Sequence, residues 1–493
     1  MNLELLRQVC VTPGAPGFED KIRDFIIQEV APLVDAVRVD NMGSVIAIVE
    51  GKNTEKTMMA AAHMDEIGFM VRHIDDKGFI KFLPLGGFDA KTLTAQRVIV
   101  HGKKDLIGVM GVKPIHVMSP AERTKLPEVT DFFIDLGMSK EEVEKYVSVG
   151  DSVTRERDLV EMGDCVNVKS LDNRAGCYVL IEALRAIKAS RKKPSCNFVA
   201  AFTVQEEVGL RGAQAGTLDI QPDFSIALDV TIACDIPGTP AHDQVSHLGA
   251  GAAIKLYDGS VIADRRMVKF MKAMADANKI KWQTEMLPAG GTDAGAMQKF
   301  VPGGSIAGAI SVPTRNVHQV IEMAHKDDLD ASVALLTACA MNVDKWDWSW
   351  NSVKPLPRRK RPNNRSGHSF ITTRQAAPET EAACLFSASF KCSGKLRTPS
   401  SPIQPGIPQV PASPPPEAFS NGPAIKKSSG ISPCRRRDNP EKESYLAAGA
   451  DASFWAGAGA GTASTSTSSS TSTSSSGPVA PVCFMASFRA WLP

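Results

Sequence analysis

Apolar runs of two kinds follow one another in the first 67 residues of the chain. The segments Leu3–Val11 and 19–34 carry apolar residues at the three- and four-residue spacing that predicts helices. The segments 44–49 and 57–62 are short apolar runs bounded by turn residues, which predicts two strands. Helices that alternate with strands in this way indicate the first part of an α/β domain, at residues 1–67.

The pattern changes to short strand-like runs separated by glycine turns between residues 68 and 161. Runs of this kind lie at 69–74, 79–82, 97–100 and 106–109. Their spacing predicts a small β-barrel or sandwich. One helix interrupts them at 139–147, with Ser139 as the expected N-cap. Because the α/β pattern resumes after this block, we interpret residues 68–161 as an inserted β-rich domain.

The alternation of helices and strands resumes at residue 162 and continues to about 348. It predicts a long amphipathic helix at 177–189, strands that end near Glu206 and at Asp229, and a final helix at 327–343. We therefore predict that residues 162–348 complete the α/β domain that the insertion interrupts.

Residues 349–493 differ in composition from everything before them. They are rich in Pro, Ser, Thr, Ala and Gly, and the segment 464–476 consists almost purely of Ser and Thr. Such a sequence buries too little apolar surface to offset the entropy of ordering, so we predict a disordered tail. The basic runs 358–361 and 434–437 are interpreted as solvated charge in that tail, with a nucleic-acid patch as the alternative.

Composition and charge mainly exclude certain classes of function and location. The 493 residues carry a net charge of +2, which gives no field of the kind that attracts nucleic acid. No apolar run approaches the ~20 residues of a membrane span. Charges at Glu4 and Arg7 indicate that the chain starts with a helix and not with a signal peptide. The 10 cysteines include no Cys-x-x-Cys pair, so we expect reduced thiols and a cytoplasmic protein.

Two adjacent carboxylates, Glu206 and Glu207, follow the apolar run 197–204, which predicts a buried strand. Adjacent residues that leave a strand point to opposite sides, so one carboxylate can hold a metal ion while its neighbour holds a water molecule beside it. Metal-assisted hydrolysis needs this pairing of a Lewis acid with a general base. A solvated acidic turn is the commoner interpretation of a bare Glu-Glu pair, and the other candidate ligands decide between the two.

Five residues next to predicted strands, helices and loops could ligate a divalent metal: His63, Asp172, Glu207, Asp229 and His318. Singly, each has a plain structural interpretation, as a surface histidine or as a turn or helix-cap carboxylate. Together, two imidazoles and three carboxylates suit a pair of ions of the Zn²⁺ class, with one carboxylate bridging. Asp65, two residues after His63, could accept the other imidazole N–H and fix its tautomer.

Six short motifs occur in order between residues 62 and 318. They are Ala-His-Met-Asp-Glu-Ile-Gly at 62–68, Ser-Leu-Asp-Asn-Arg at 170–174, Gln-Glu-Glu-Val-Gly at 205–209, Asp-Val at 229–230, Gly-Thr-Asp-Ala at 291–294 and Pro-Thr-Arg-Asn-Val-His at 313–318. In this combination the chain resembles the M42 family of dinuclear metalloaminopeptidases, over roughly residues 1–345. The resemblance implies a phosphorylase/hydrolase-like, three-layer α/β catalytic domain with a small inserted β-barrel-like domain.

The same resemblance implies two divalent metal ions, Zn²⁺ or Co²⁺, in each subunit. His63 and Asp229 would hold one ion, Glu207 and His318 would hold the other, and Asp172 would bridge them. These assignments belong to the resemblance, since spacing along the chain does not by itself pair the ligands.

The resemblance also implies how the site would act and what it would act on. Glu206 would be the general base, and Asp65 would support catalysis beside His63. The substrates would be peptides from which the N-terminal residue is cleaved. The chain would assemble with copies of itself, as far as a dodecamer built from dimers, with no nucleic acid or membrane partner.

Three other functions compete with this interpretation. A deacylase or carboxypeptidase of the M20 type shares the paired metals and the Glu-Glu pair, but the β-rich block between Asp65 and Asp172 favours the M42 order of motifs. A glycosidase needs two carboxylates without metal, and two histidines at ligand positions argue against it. A non-catalytic relative is disfavoured because every expected ligand is present. The preferred N-terminal residue and the physiological metal stay open.

Overall fold

The structure is a computed structural model that describes residues 1–350, and helices and strands alternate along most of that length. Within these residues the α-helices are α1 (Leu3–Val11), α2 (Asp20–Val30), α3 (Pro120–Thr124), α4 (Lys140–Tyr146), α5 (Leu171–Ser190), α6 (Arg211–Ile220), α7 (Arg265–Ala277), α8 (Asp293–Lys299) and α9 (Lys326–Asn342). None of these helices in residues 1–350 is long and apolar enough to cross a membrane. From residue 351 onward, the predicted disordered tail lies outside the described residues.

The strands form two separate sheets. In chain order they are β1 (Ala36–Val39), β2 (Val45–Val49), β3 (Asn53–His63), β4 (Gly68–Ile74), β5 (Ile80–Leu85), β6 (Arg97–His101), β7 (Asp105–Gly111), β8 (Phe133–Asp135), β9 (Ser152–Arg155), β10 (Val160–Met162), β11 (Cys165–Val168), β12 (Cys196–Thr203), β13 (Phe224–Ile232), β14 (Ala252–Tyr257), β15 (Trp282–Met286), β16 (Ile306–Arg315) and β17 (Glu322–His325). Strands β4 to β9 make one sheet and the other eleven make the main sheet.

Four parallel strands form the centre of the main sheet, in the order β12, β3, β13 and β16. Strands β2 and β1 extend the sheet antiparallel beyond β12, and β17, β11 and β10 extend it beyond β16. Parallel strands end at the same edge of a sheet, and open α/β sheets place their sites at that edge. Residues that end or follow the four central strands therefore lie close together.

Successive side chains of β3 alternate between two buried layers. Met58, Ala60 and Ala62 pack into a large apolar core with residues of α1, α2, α5, α7 and α9. Met59 and Ala61 pack into a smaller core on the other face with residues of α8. The sheet is thus covered on both faces, as its continuous apolar strands require. The predicted three-layer α/β fold is confirmed.

Strands β4, β5, β8, β7, β6 and β9 close into a small barrel within residues 68–155. Its interior is apolar, with Phe69, Ile80, Val98 and Val153 fully buried. The predicted small β-barrel-like insertion is confirmed, whereas the domain boundaries at 67, 161 and 348 stay predictions. Helix α4 begins after Ser139 as expected, and Ser139 and Glu142 exchange side-chain and backbone hydrogen bonds in a capping box.

Helix α5 starts at Leu171, six residues before its predicted start at 177. Asp172 (φ −80°, ψ 106°) and Asn173 (φ −117°, ψ 39°) depart from helical geometry inside its first turn. Asn173 is fully buried and donates from Nδ2 to the carbonyl oxygen of Leu228 at 2.7 Å. The polar segment before the predicted start of the helix is therefore held by tertiary hydrogen bonds inside the protein.

The last described residues pack against the main domain through three tryptophans. The ring centroid of Trp348 lies 4.8 Å from that of Phe224 and 5.2 Å from that of Phe270, and Trp346 lies 5.6 Å from Phe270. Arg266 donates from Nη1 to the Trp348 carbonyl oxygen at 3.0 Å and stacks on Trp350 at 3.9 Å. The main domain therefore uses the chain as far as Trp350.

A chain that ends at Trp350 should unfold with the same Tm as the full chain, because it retains every helix and strand of the described residues. A chain that ends at Lys345 should lose about 3–5 kcal/mol of unfolding free energy, since it gives up aromatic side chains packed on the core. Denaturant unfolding of the two truncated proteins measures the difference. Equal stability of the two would show that the tryptophans are dispensable, and aggregation of the longer one would place the boundary further along the chain.

Candidate metal centre

The five predicted metal ligands lie together at the carboxyl edge of the central strands. His63 is the last residue of β3, Asp229 lies near the end of β13, and Glu207 follows β12 by four residues. Asp172 comes from the first turn of α5, and His318 follows β16 by three residues. Parallel pairing aligns the ends of β12 and β3, because Thr203 of β12 pairs with His63. The structure thus brings together every residue that the sequence suggested as a ligand.

The carboxylate of Asp172 lies between the two imidazoles. Its Oδ1 is 3.3 Å from Nε2 of His63, and its Oδ2 is 3.2 Å from Nε2 of His318. Two ligands of one tetrahedral Zn²⁺ ion at ordinary bond lengths are about 3.3 Å apart. Each oxygen of Asp172 is therefore spaced from a different imidazole as two ligands of a shared ion would be.

The remaining carboxylates face one imidazole each. Oδ1 of Asp229 lies 3.8 Å from Nε2 of His63, and Oε2 of Glu207 lies 3.5 Å from Nε2 of His318. Oε2 of Glu206 lies 3.8 Å from Nε2 of His63. Potential ligand atoms lie within 4.8 Å of one another in two groups, His63–Glu206–Asp229 and His63–Asp172–Glu207. Oε1 of Glu207 is buried without a hydrogen-bond partner among the described residues, which fits a donor set built for cations.

Negative charge is crowded in this site. Burial raises the pKa of Glu207 to about 7, and the nearby Asp172 adds to the rise. Burial likewise raises the pKa of Asp229 and of Glu206 well above their usual range, against the lowering effect of His63. Without cations, the carboxylates can only share the space by retaining protons. Divalent cations would relieve that crowding, so the residues present fit a metal site.

The two imidazoles respond to the same crowding. Burial lowers the pKa of His318, but Glu207 and Asp172 outweigh burial and raise that pKa to about 10. Burial also lowers the pKa of His63, yet Glu206, Asp172 and Asp65 raise it well above its usual range. Both imidazoles therefore hold protons that a metal ion would have to displace.

Metal affinity should therefore rise steeply with pH. Glu207 and His318 have raised pKa values, about 7 and about 10, so the metal-free site keeps protons through neutral pH. Between pH 6 and pH 8 we expect affinity to increase about tenfold per pH unit for every proton displaced. Competition with a chelator of known affinity at pH 6, 7 and 8 measures this slope. A pH-independent affinity would mean that these groups do not bind the metal.

Asp65 makes contacts that the sequence did not suggest. Its carboxylate accepts the backbone N–H of Glu206 at 3.1 Å and that of Glu207 at 3.2 Å. Nδ1 of His63 is 3.2 Å from the backbone carbonyl oxygen of Asp65 and 3.5 Å from its carboxylate Oδ1. The side chain of Asp65 thus ties the end of β3 to the Glu206–Glu207 turn. Its predicted catalytic role stays a prediction.

Two further buried acids adjoin the site and were missed by the sequence reasoning. Asp293 lies in the 291–294 motif and accepts a 2.5 Å hydrogen bond from Oγ1 of Thr203. Burial raises its pKa to about 6. Glu322 accepts backbone N–H groups from Asp172 and His318. The 291–294 motif was a signal for Asp293. Glu322 had none, because its contacts at the site are to backbone groups, which leave no trace in the sequence.

Comparison with known proteins places this site in context. Residues 43–335 match the family model described as M42 glutamyl aminopeptidase. A putative aminopeptidase of Acetivibrio thermocellus is 40% identical over 334 residues, which cover 68% of this chain and 96% of the relative. A TET aminopeptidase structure from the archaeon Thaumarchaeota archaeon SCGC AB-539-E09 is 33% identical, with a TM-score of 0.67, and the match covers 69% of this chain and 96% of that one. The TET1 peptidase of Pyrococcus horikoshii, which can assemble into a tetrahedron or a large octahedral shell, is 33% identical, with a TM-score of 0.62 over 69% of this chain and 99% of that one.

Proposed function

Because the chain belongs to the M42 glutamyl aminopeptidase family and is thus an aminopeptidase, we propose that it hydrolyses the N-terminal peptide bond with two divalent cations and a glutamate base. The observation that carries this proposal is the carboxylate of Asp172, whose two oxygens face His63 at 3.3 Å and His318 at 3.2 Å. One carboxylate between two imidazoles suits a pair of ions better than a single one.

In the proposed arrangement, His63 and Asp229 would hold one ion, Glu207 and His318 would hold the other, and Asp172 would be a ligand of both. The donor set of imidazoles and carboxylates suits Zn²⁺ or Co²⁺. Bound there, the two ions would supply Lewis acidity and lower the pKa of water towards neutrality.

Glu206 is the proposed proton carrier. Its Oε2 lies beside Nε2 of His63, and burial raises the pKa of its carboxyl. It accepts a proton from the attacking water and donates that proton to the nitrogen of the leaving amine. Asp65 orients Glu206 for this step by accepting its backbone N–H, which keeps the Glu206 carboxylate beside His63.

A substrate panel tests this function against its rivals. We expect the purified protein to release p-nitroaniline from aminoacyl-p-nitroanilides with a free α-amine and to leave the N-acetylated forms intact. Chelation should abolish the rate, and Zn²⁺ or Co²⁺ should restore it. Preferential hydrolysis of N-acyl substrates would support the M20-type alternative, and an unchanged rate after complete chelation would refute the metal-dependent mechanism.

We further propose that the chain forms a homo-oligomer through its barrel. Ile107 and Val109 lie on β7, 65% and 47% exposed, and the following segment exposes Ile115, Val117 and Leu126. These five side chains follow one another within residues 107–126, and exposed apolar surface is typical of association sites. The family resemblance and the related PhTET1-12s structure, a dodecamer in the asymmetric unit, support an assembly as large as a dodecamer.

Sedimentation velocity should therefore show a species much larger than a 52.8 kDa monomer. The double substitution Ile107→Glu with Val109→Glu should shift the protein to smaller species, because it places two charges in the association surface. Ile262→Glu is the control, since Ile262 is 70% exposed but belongs to the main domain. A wild-type monomer at micromolar concentration, or equal dissociation by the control, would contradict the proposal.

A further inference from the structure

Glu322 adjoins the candidate metal centre and accepts hydrogen bonds from the backbones of two predicted ligands. It is the first residue of β17, and its side chain is fully buried. Oε1 accepts the backbone N–H of His318 at 2.8 Å, and Oε2 accepts the backbone N–H of Asp172 at 3.0 Å. A single carboxylate therefore joins two ligands that are 146 residues apart in the chain, His318 and Asp172.

Neither ligand is held in place by regular secondary structure. His318 lies outside β16 and has a left-handed backbone with φ of 65°. Asp172 has a non-helical backbone inside the first turn of α5. A left-handed residue other than glycine persists only where its surroundings hold it. The two hydrogen bonds that Glu322 accepts join the backbones of both residues close to where their side chains meet, 3.2 Å apart.

Arg155 makes a second contact to the backbone of His318. It ends strand β9 of the barrel, is 2% exposed, and donates from Nη1 to the carbonyl oxygen of His318 at 3.0 Å. The residue that carries the imidazole is thus fixed at its N–H by Glu322 and at its C=O by Arg155.

We propose that Glu322, together with Arg155, is a positioning residue that sets the geometry of the metal site formed by Asp172, Glu207 and His318. Its loss should weaken metal binding at that site more than at the site of His63 and Asp229. This inference rests on the proposed two-metal function.

The test is a metal titration of the intact, metal-free protein with Zn²⁺ by calorimetry and with Co²⁺ by visible absorption. Glu322→Gln preserves volume but presents an amide N–H₂ to one of the two backbone donors, so one hydrogen bond is lost. We expect the site of His318 to bind about 10–100-fold more weakly, as is typical when an outer partner of a metal ligand is removed, and the other site, which shares only Asp172 with it, to weaken less.

Asp328→Asn is the matched control. Asp328 is also fully buried and accepts two backbone N–H groups, those of Gly249 and Gly251, both at 2.7 Å. It touches no predicted ligand, so this variant should titrate like wild type at both sites, whatever its Tm. Circular dichroism of the metal-free proteins establishes that each variant is folded.

The outcomes separate failure of the inference from failure of the proposed function. If wild type binds two ions and Glu322→Gln binds both with unchanged affinity, or if the control loses affinity equally, the positioning role is refuted. If wild type itself binds fewer than two ions, the two-metal function fails instead. Should Glu322→Gln not fold, Arg155→Lys carries the same test: selective weakening of one site supports the proposal, and an unchanged titration overturns it.

Discussion

Replacing Glu206 by Gln should lower kcat by about 10²–10⁴-fold and leave the metal content near that of wild type. The substitution removes the proton acceptor but keeps the five proposed ligands. KM should change little, because the lost interaction belongs to the transition state. Steady-state kinetics on a free-amine substrate, combined with metal analysis of the same preparation, measures both quantities.

The neighbouring variant Glu207→Gln should fail in a different way. Glu207 faces Nε2 of His318 at 3.5 Å as a proposed ligand, so its neutralisation should reduce occupancy of one site, and excess metal should partly restore the rate. The two variants change adjacent residues by the same chemistry, so each controls for the other. If Glu206→Gln loses metal and Glu207→Gln keeps it, then Glu206 is the metal ligand and Glu207 is the base. If both variants are fully active, the Glu206–Glu207 segment is only an acidic turn.

Sequence patterns could predict much of the ligand set because strand ends are visible in the sequence. His63 and Asp229 end or nearly end apolar runs, and in the structure these runs are the parallel strands β3 and β13. Parallel strands bring their carboxyl ends to one edge, so residues distant in the chain become neighbours. Asp172 and His318 were candidates because one precedes a predicted helix and the other ends a turn-rich loop, positions that no strand pattern would have selected.

The contacts that organise these residues could not be predicted in the same way. Asp65 was expected to accept a hydrogen bond from the imidazole of His63, whose Nδ1 lies 3.5 Å from its Oδ1. That its carboxylate also accepts the backbone N–H groups of Glu206 and Glu207 was not expected. Glu322 likewise accepts only backbone N–H groups at the site. Every residue other than proline carries the same N–H, so such partners leave no trace in residue type or spacing. They depend on tertiary geometry alone.

The packed end of the main domain shows a second limit of sequence patterns. The change in composition near residue 349 suggested a boundary, but it did not indicate that Trp346 and Trp348 pack against Phe270. A short segment with alternating Trp and polar residues has no helical or strand periodicity long enough to interpret. Its burial depends on an aromatic surface contributed by distant elements.

Asp172→Asn should be more damaging to metal binding than any other single ligand substitution. The two oxygens of Asp172 face different imidazoles, His63 at 3.3 Å and His318 at 3.2 Å. An asparagine keeps one acceptor oxygen and replaces the other with an N–H₂ group, which cannot ligate a cation. Loss of a bridging ligand should therefore weaken both sites, each by more than the about 10–100-fold typical of outer-shell changes.

Metal analysis after dialysis against a weak chelator measures this effect, and activity at saturating metal follows it. The variant should retain less than one ion per chain under conditions in which wild type retains two, and kcat/KM should fall by more than about 10²-fold, since neither ion is held firmly. Asp293→Asn is the control for metal content, because Asp293 is a buried acid near the site that accepts a hydrogen bond from Thr203 and is not one of the five proposed ligands. An Asp172→Asn variant that loses one ion and keeps the other tightly would make Asp172 a ligand of a single site, and one that keeps both would remove it from the metal centre.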